Sequence, residues 1–241
     1  MPLAVYSAVD LAGANIGRFL KCQKREVACG LLALNEDFGS DLVVFASKHA
    51  SVSGKPCLTV HATGNWGPAQ KGGEVRTLSR TSAFAMKTAF DFFKSHPLEG
   101  FEVFLEATHH GPTHLKEPSI FVEVGSTAEE WLNENASRRV AECVDFVSAE
   151  WKKTKGKVAI GFGGGHYCPA FNELEADGFC FSHIAAKYAL DFVDESTVKQ
   201  AVEKTAERVE CAVIDWKGSK SEQRAKIMKI CDSLGLPVER C

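Results

Sequence analysis

Residues 158–171 read VAIGFGGGHYCPAF, and this stretch decides the fold. Val158-Ala159-Ile160 is a short apolar run of the kind that forms a buried strand. It breaks into Gly161, Gly163, Gly164 and Gly165, four glycines in five positions. Such a run suits neither a helix nor a strand interior, because each glycine costs backbone entropy. It suits a place where the chain turns sharply or approaches something closely. His166 and Tyr167 follow, and Pro169 stiffens the exit. A strand ending in glycines and a histidine is how an α/β protein builds a ligand site at the carboxyl end of its sheet.

A second stretch answers the first. Phe101–Leu105 (FEVFL) reads as another strand, and it runs into Glu106, His109, His110, Gly111, Pro112, Thr113 and His114. Four of the eight histidines lie in these two loops. The pair is the expected active site.

Working outward, the same pattern recurs. Leu3–Tyr6 is a strand candidate followed by a turn with Asp10, an ordinary helix-capping residue, and then helical spacing over 14–22. Leu42–Ala46 leads into Ser47-Lys48-His49, and Cys57–Val60 into His61 and Gly64. Helices are expected over 81–96, from 126 to about 153, over 195–208 and over 221–234, with strands at 119–124 and within 209–216. The strand-turn-helix order predicts a doubly wound α/β fold with its strand-end loops on one side. No linker or composition break divides residues 1–241, so a single domain is expected.

Composition narrows the function. The formal net charge is −3, so the whole chain carries no electrostatic signature of nucleic-acid binding. Nine cysteines occur without a CxxC pair, which points to reduced, packed thiols, Cys168 among them. No apolar stretch is long enough to span a membrane, and a cytoplasmic location is expected.

Two chemistries suit these residues. Glu106, His109, His110, His114 and His166, with His61 or Glu123 as further donors, can ligate metal. Their spacing is not a standard one, since HHGPTH contains glycine and proline and must be a loop. The alternative is metal-free acid–base work, with Thr113 and Tyr167 holding a histidine. Backbone N–H groups of the glycine run suit an oxyanion or a phosphate. No GxSxG nucleophile elbow is present.

HATGN at 61–65, HHGPTHL at 109–115 and GFGGGHYCPAF at 161–171 resemble the D-aminoacyl-tRNA deacylases of the archaeal and plant type. SKHAS at 47–51 and IDWKG at 214–218 resemble them too. The resemblance implies a three-layer α/β/α sandwich with a mixed, mostly parallel sheet, related to phosphorylases and peptidyl-tRNA hydrolases. It implies a monomer with two zinc ions per subunit that hydrolyses the ester joining a D-amino acid to the 3′ end of tRNA. On that basis His110, His114 and His166 form the expected centre with Thr113, as ligands or proton carriers, and Glu106 orients or coordinates. Asn65 and Gly163, Gly164 and Gly165 are expected on the substrate carbonyl or terminal ribose. Trp66 or Tyr167 is expected to stack on the adenine. Three basic clusters can meet phosphates: Lys21, Lys24 and Arg25; Lys152–Lys157; and Lys217, Lys220, Arg224 and Lys229, the last favoured because IDWKG falls there. The rival reading is a zinc-dependent amidohydrolase or peptidase on a related fold.

Overall fold

A computed structural model describes residues 1–241. The strands are β1 (Leu3–Ser7), β2 (Lys24–Val27), β3 (Val43–Lys48), β4 (Cys57–His61), β5 (Gly64–Asn65), β6 (Thr77–Leu78), β7 (Glu102–Leu105), β8 (Ser119–Gly125), β9 (Lys157–Phe162), β10 (Phe179–Ala185), β11 (Cys211–Ile214) and β12 (Val238–Arg240). The helices are α1 (Leu11–Gly17), α2 (Ala83–Ser95), α3 (Ala128–Trp131), α4 (Glu134–Glu150), α5 (Pro169–Ala176), α6 (Glu195–Glu203) and α7 (Ser221–Ser233).

Short polar side chains set where the helices begin. Asp10, Ser82, Asn133 and Asp194 each accept a backbone N–H from the first turn of α1, α2, α4 and α6. Asn133 also explains why the helix expected from 126 to 153 is two. The chain leaves α3 at Leu132 and starts again at α4. The helix expected over 14–22 lies instead at Leu11–Gly17, where Asp10 caps it.

The main sheet has the order β2-β1-β3-β8-β4-β7, and the smaller one β10-β9-β11-β12. All pairings in both are parallel except β4 with β8. The α/β class and the mixed, mostly parallel sheet are therefore as the resemblance implies. Helices α1, α2 and α4 cover one face of the main sheet. The same core cluster takes in Ala159, Phe171, Phe181 and Val213 from the smaller sheet and α5, which ties the two sheets together. On the far face of the smaller sheet, Val198 and Ala201 of α6 and Ile227 and Cys231 of α7 pack on Ile160 and Phe162.

One expectation about layout changes. Because β4 and β7 run against β1, β3 and β8, the carboxyl ends of β3 and β4 lie at opposite edges of the sheet. Strand-end loops cannot all gather on one side. The functional side chains meet on a face instead.

Candidate active site

Alternation along the strands builds that face. Val44, Ala46, Leu58, Val60, Val122 and Val124 point into the helix-covered core. Their neighbours point the other way, which places Ser47 and His49, Thr59 and His61, and Glu123 on the opposite face. In register, Ser47 and Thr59 flank Glu123 on either side. Glu106 follows β7, its amide bonded to Val60 O at 3.0 Å. The loop after β9 is pulled alongside by Ala107 N donating to His166 O at 2.8 Å. His110 takes a left-handed backbone, φ 48°, which turns its imidazole back toward His61.

The result is five histidines and two carboxylates. His166 Nε2 donates to Glu106 Oε2 at 2.7 Å, and Tyr188 OH lies 3.1 Å from His166 Nδ1. His49 bonds Tyr167 OH through Nε2 at 2.8 Å, and its Nδ1 stands 3.1 Å from Glu106 Oε1. His61 Nε2 lies 3.4 Å from Glu123 Oε2. The His109 ring centroid is 4.4 Å from His61, 4.3 Å from His110 and 4.7 Å from His166.

Burial governs the protonation states, and neighbours then split them. Burial raises the Glu106 carboxyl, but its contacts with His166 and His49 outweigh this and hold it well below the usual range. Burial keeps Glu123 raised despite His61. Two carboxylates on one site are thus pushed apart. For His49 and His61, burial lowers the imidazole pKa, and the adjacent carboxylates raise it by more. Burial, and then the charge of His61, lowers His109 well below its ordinary value and takes His110 to about 3.

The donors fit zinc. Nδ1 of His61, His109 and His110 each meets a backbone carbonyl, of Ala62, Ala107 and Gly111, at 3.1, 2.8 and 2.6 Å. A carbonyl can only accept, so each Nδ1 carries a proton and Nε2 is the atom left to ligate, at His61 after loss of the proton that Glu123 favours. This is the orientation that backbone carbonyls give to metal-binding imidazoles. The three residues offer ligand atoms within 4.8 Å of one another, as do His49, Glu106 and Glu123, and also Glu106, His109 and His166. His61 Nε2 and Glu106 Oε1 are buried with ionic neighbours, Glu123 and His49, at 3.4 and 3.1 Å but make no aligned hydrogen bond, a state that a cation relieves. The first two sets share no residue, so two ions can be held without competing for a ligand.

Other expected residues lie off the cluster or are engaged with the protein. His114 is half-exposed and its Nε2 meets Glu74 at 3.0 Å, away from the cluster. Thr113 is buried, and its hydroxyl accepts from Glu74 N at 2.9 Å. Asn65 Nδ2 donates to Gly72 O and Glu74 O, both at 3.0 Å, so it clasps a loop. Gly163 N is bonded to Ala185 O and Gly164 N to Gly218 O. Gly163 and Gly164 let the loops after β9 and β11 touch and keep their amides within the protein, while Gly165 leaves its N–H unbonded beside Lys217 and Lys220. Trp66 is 2% exposed with its indole N–H on Ile184 O. Tyr167 packs on Phe104 and holds His49. Arg224 binds Trp216 O and Ser219 O and lies over the Trp216 ring. Cys168 is buried with its thiol pushed up by burial, as a packed residue should be.

Left out of the expected site were chiefly His49, although it lies in the SKHAS motif, and Tyr188. The signal for Glu123 was present: an acidic residue interrupting SIFVEV.

Two clefts open on the cluster, of about 360 and 330 Å³, within the usual range of small-ligand sites. The first is lined by Trp66, Tyr188 and Phe192, the second by Ser7, Asp10, Ser47 and Glu123. His109, His110, His166 and Lys71 line both. A third cavity, lined by Lys187, Lys217 and Lys220, adjoins the first through Tyr188.

A buried carboxylate–imidazole cluster with metal-oriented histidines, open to two clefts on an α/β sheet, is the equipment of a hydrolase that activates water. Comparison with known proteins gives the family. The profile of the D-aminoacyl-tRNA deacylase family matches residues 36–239. The D-aminoacyl-tRNA deacylase of Thermococcus kodakarensis is 44% identical over 200 residues, 81% of this chain and 72% of that one. The deacylase of Methanosarcina mazei is 44% identical over 204 residues, 83% of this chain and 67% of that one. The crystal structure of a conserved protein of unknown function, AF0625, superposes with TM-score 0.89 at 30% identity, covering 100% of this chain and 95% of that one. The chain belongs to the D-aminoacyl-tRNA deacylase family, hydrolases of an ester bond.

Proposed function

We propose that the protein hydrolyses D-aminoacyl-tRNA to free D-amino acid and tRNA by water attack at the histidine–carboxylate cluster, with zinc as its resident metal. The observation that carries the metal and the mechanism is the trio His61, His109 and His110, whose Nδ1 protons are fixed on carbonyls. His61, His109 and His110 would hold one zinc ion, and His49, Glu106 and Glu123 a second, which would supply the Lewis acidity that activates water.

The remaining work falls to this chain's own groups. Glu106 is ionised and accepts from His166 Nε2–H, which leaves Nδ1 as the basic atom. Nδ1 lies beside the first cleft, 3.1 Å from the Tyr188 hydroxyl. His166 thus takes the proton of the attacking water at Nδ1 and returns it to the leaving ribose oxygen.

Substrate placement follows from the walls. Tyr188 and Phe192, 59% and 44% exposed, offer stacking faces for the terminal adenine that the packed Trp66 does not. Lys187, Lys217 and Lys220, one step further along, suit the phosphates behind it. Lys24, Arg25, Lys152, Lys153 and Lys157 are instead engaged with protein acceptors.

The test is deacylation of D-tyrosyl-tRNA and L-tyrosyl-tRNA with and without a chelator. D-specific hydrolysis lost on chelation and restored by zinc is the expected result. D-specific hydrolysis that survives chelation removes the metal and keeps the reaction. No cleavage of either ester above buffer overturns the reading.

A further inference from the structure

Ester hydrolysis needs a donor for the charge that develops on the carbonyl oxygen. Gly163 and Gly164 N–H are spent on backbone carbonyls and Asn65 Nδ2 on the loop 72–74, while Gly165, whose N–H is free, lines the third cavity and neither cleft on the cluster. Lys71 is not spent. It lines both clefts together with His109, His110 and His166, and its ammonium makes no ion pair or hydrogen bond within the protein. Lys48, the other cation lining the second cleft, sits 5.2 Å over the Trp131 ring.

The loop that carries Lys71 is held in place. Gly111 N donates to Lys71 O at 3.2 Å, while Asn65 and Thr113 fasten Gly72 and Glu74. Gly111 packs so tightly that a Cβ there would strike Leu32 O and the Gly73 amide. The histidine loop and the lysine loop are thus fixed to one another, with a free cation beside the cluster. What the fold fixes is the Lys71 backbone, from which an exposed side chain borders both clefts.

We propose that Lys71 is a catalytic residue of the hydrolysis, its Nζ donating to the carbonyl oxygen as that oxygen becomes an oxyanion. This rests on the hydrolytic reading above. The water oxygen forms the new bond to the carbonyl carbon, and its proton goes to His166. The carbonyl π pair moves onto oxygen, where Lys71 holds it. Collapse restores the carbonyl and breaks the bond to the ribose oxygen. That oxygen takes the proton from His166, and Lys71 stays protonated throughout.

A phosphate contact is the competing use of a lysine, and the substrate separates the two. Wild type, Lys71→Met, Lys71→Arg and His109→Ala are compared in single-turnover reactions, with affinity measured separately. The substrates are D-tyrosyl-tRNA and 3′-O-(D-tyrosyl)adenosine, which has no phosphate. The inference expects Lys71→Met to slow the chemical step by about 100-fold or more on both, with tRNA affinity within about 3-fold of wild type and partial recovery in Lys71→Arg. A Lys71→Met rate within about 3-fold of wild type on both substrates overturns it. So does a loss confined to the tRNA substrate with weakened affinity, which would make Lys71 a phosphate ligand. If wild type itself cleaves neither substrate, or His109→Ala cleaves as fast as wild type, the hydrolytic reading falls first and takes this inference with it.

Discussion

His109 occupies the position that two of the three donor sets share, between His61 and His110 on one side and Glu106 and His166 on the other. Its removal disturbs both at once. His109→Ala is expected to lower the deacylation rate by about 100-fold or more. His114→Ala is expected to stay within about 2-fold of wild type, since its ring faces Glu74 near solvent and not the cluster. Equal losses in the two variants would mean that the HHGPTH loop is placed differently in the working enzyme. That loop was legible as a site because three histidines crowd into six residues. Which of them point inward was not, because it depends on the left-handed turn at His110, and a non-glycine residue gives no warning of one. His183 shows the converse. It is a histidine fully buried away from the cluster, its Nε2 on Ser79 O, with burial taking it to about 3. Its folded pKa lies below the unfolded 6.5, so the unfolded chain binds the extra proton on acidification. The stability it confers is complete above about pH 6.5 and is lost toward pH 3, at about 1.4 kcal/mol per pH unit. Urea unfolding at pH 7, 5.5 and 4.5 should show a shallower acid slope in His183→Gln than in wild type. Parallel slopes would contradict a neutral buried imidazole.

Strands carried most of the legible fold. The apolar runs at Leu3, Leu42, Cys57, Phe101, Ser119 and Val158 all became strands, because burial selects Val, Ile and Phe. The edge strand β2, KREV, escaped notice because three of its four residues are solvent-facing. Strand direction was also out of reach. Nothing local in CLTVH says that β4 runs against β8, yet that reversal moves the site from a row of strand ends to a sheet face. The glycine run shows a related limit. A glycine reports that something comes close, not what. Here the visitor is the loop after β11. A Cβ on Gly218 would collide with the Asp215 carboxylate and the Gly164 amide, and one on Gly163 would press on Asp215 O at 3.0 Å. Gly218→Ala is therefore expected to destabilise the protein by about 2 kcal/mol, as overpacking does, and to lower its thermal midpoint. Its deacylation rate per folded molecule should fall far less than that of His109→Ala, because Gly218 makes no contact with the cluster. A rate loss matching His109→Ala with an unchanged midpoint would put the glycine loop back in the chemistry.

A molecule of net charge −3 that acts on tRNA must confine its positive charge to the place where the nucleic acid lies. Most lysines and arginines of the first two basic clusters are already committed to carboxylates or carbonyls. Arg224, expected among the phosphate ligands, is committed as well, bonded to Trp216 O and Ser219 O. Lys217 and Lys220 form no ion pair and face a cavity that leads past Tyr188 to the cluster, while Lys229 is exposed on α7. This separates the cations by measurable behaviour. Each phosphate neutralised on a single strand contributes about 0.7 to the slope of log affinity against log salt. Replacing both Lys217 and Lys220 by glutamine should weaken tRNA binding and flatten that slope by about 1.4. Arg224→Gln should instead lower the thermal midpoint, by freeing the 216–219 turn, and leave the slope as it was. If the double variant keeps the wild-type slope and Arg224→Gln loses it, the arginine leaves its intramolecular bonds to meet the tRNA, and the path of the acceptor end lies along α7 and not through the lysine-lined cavity.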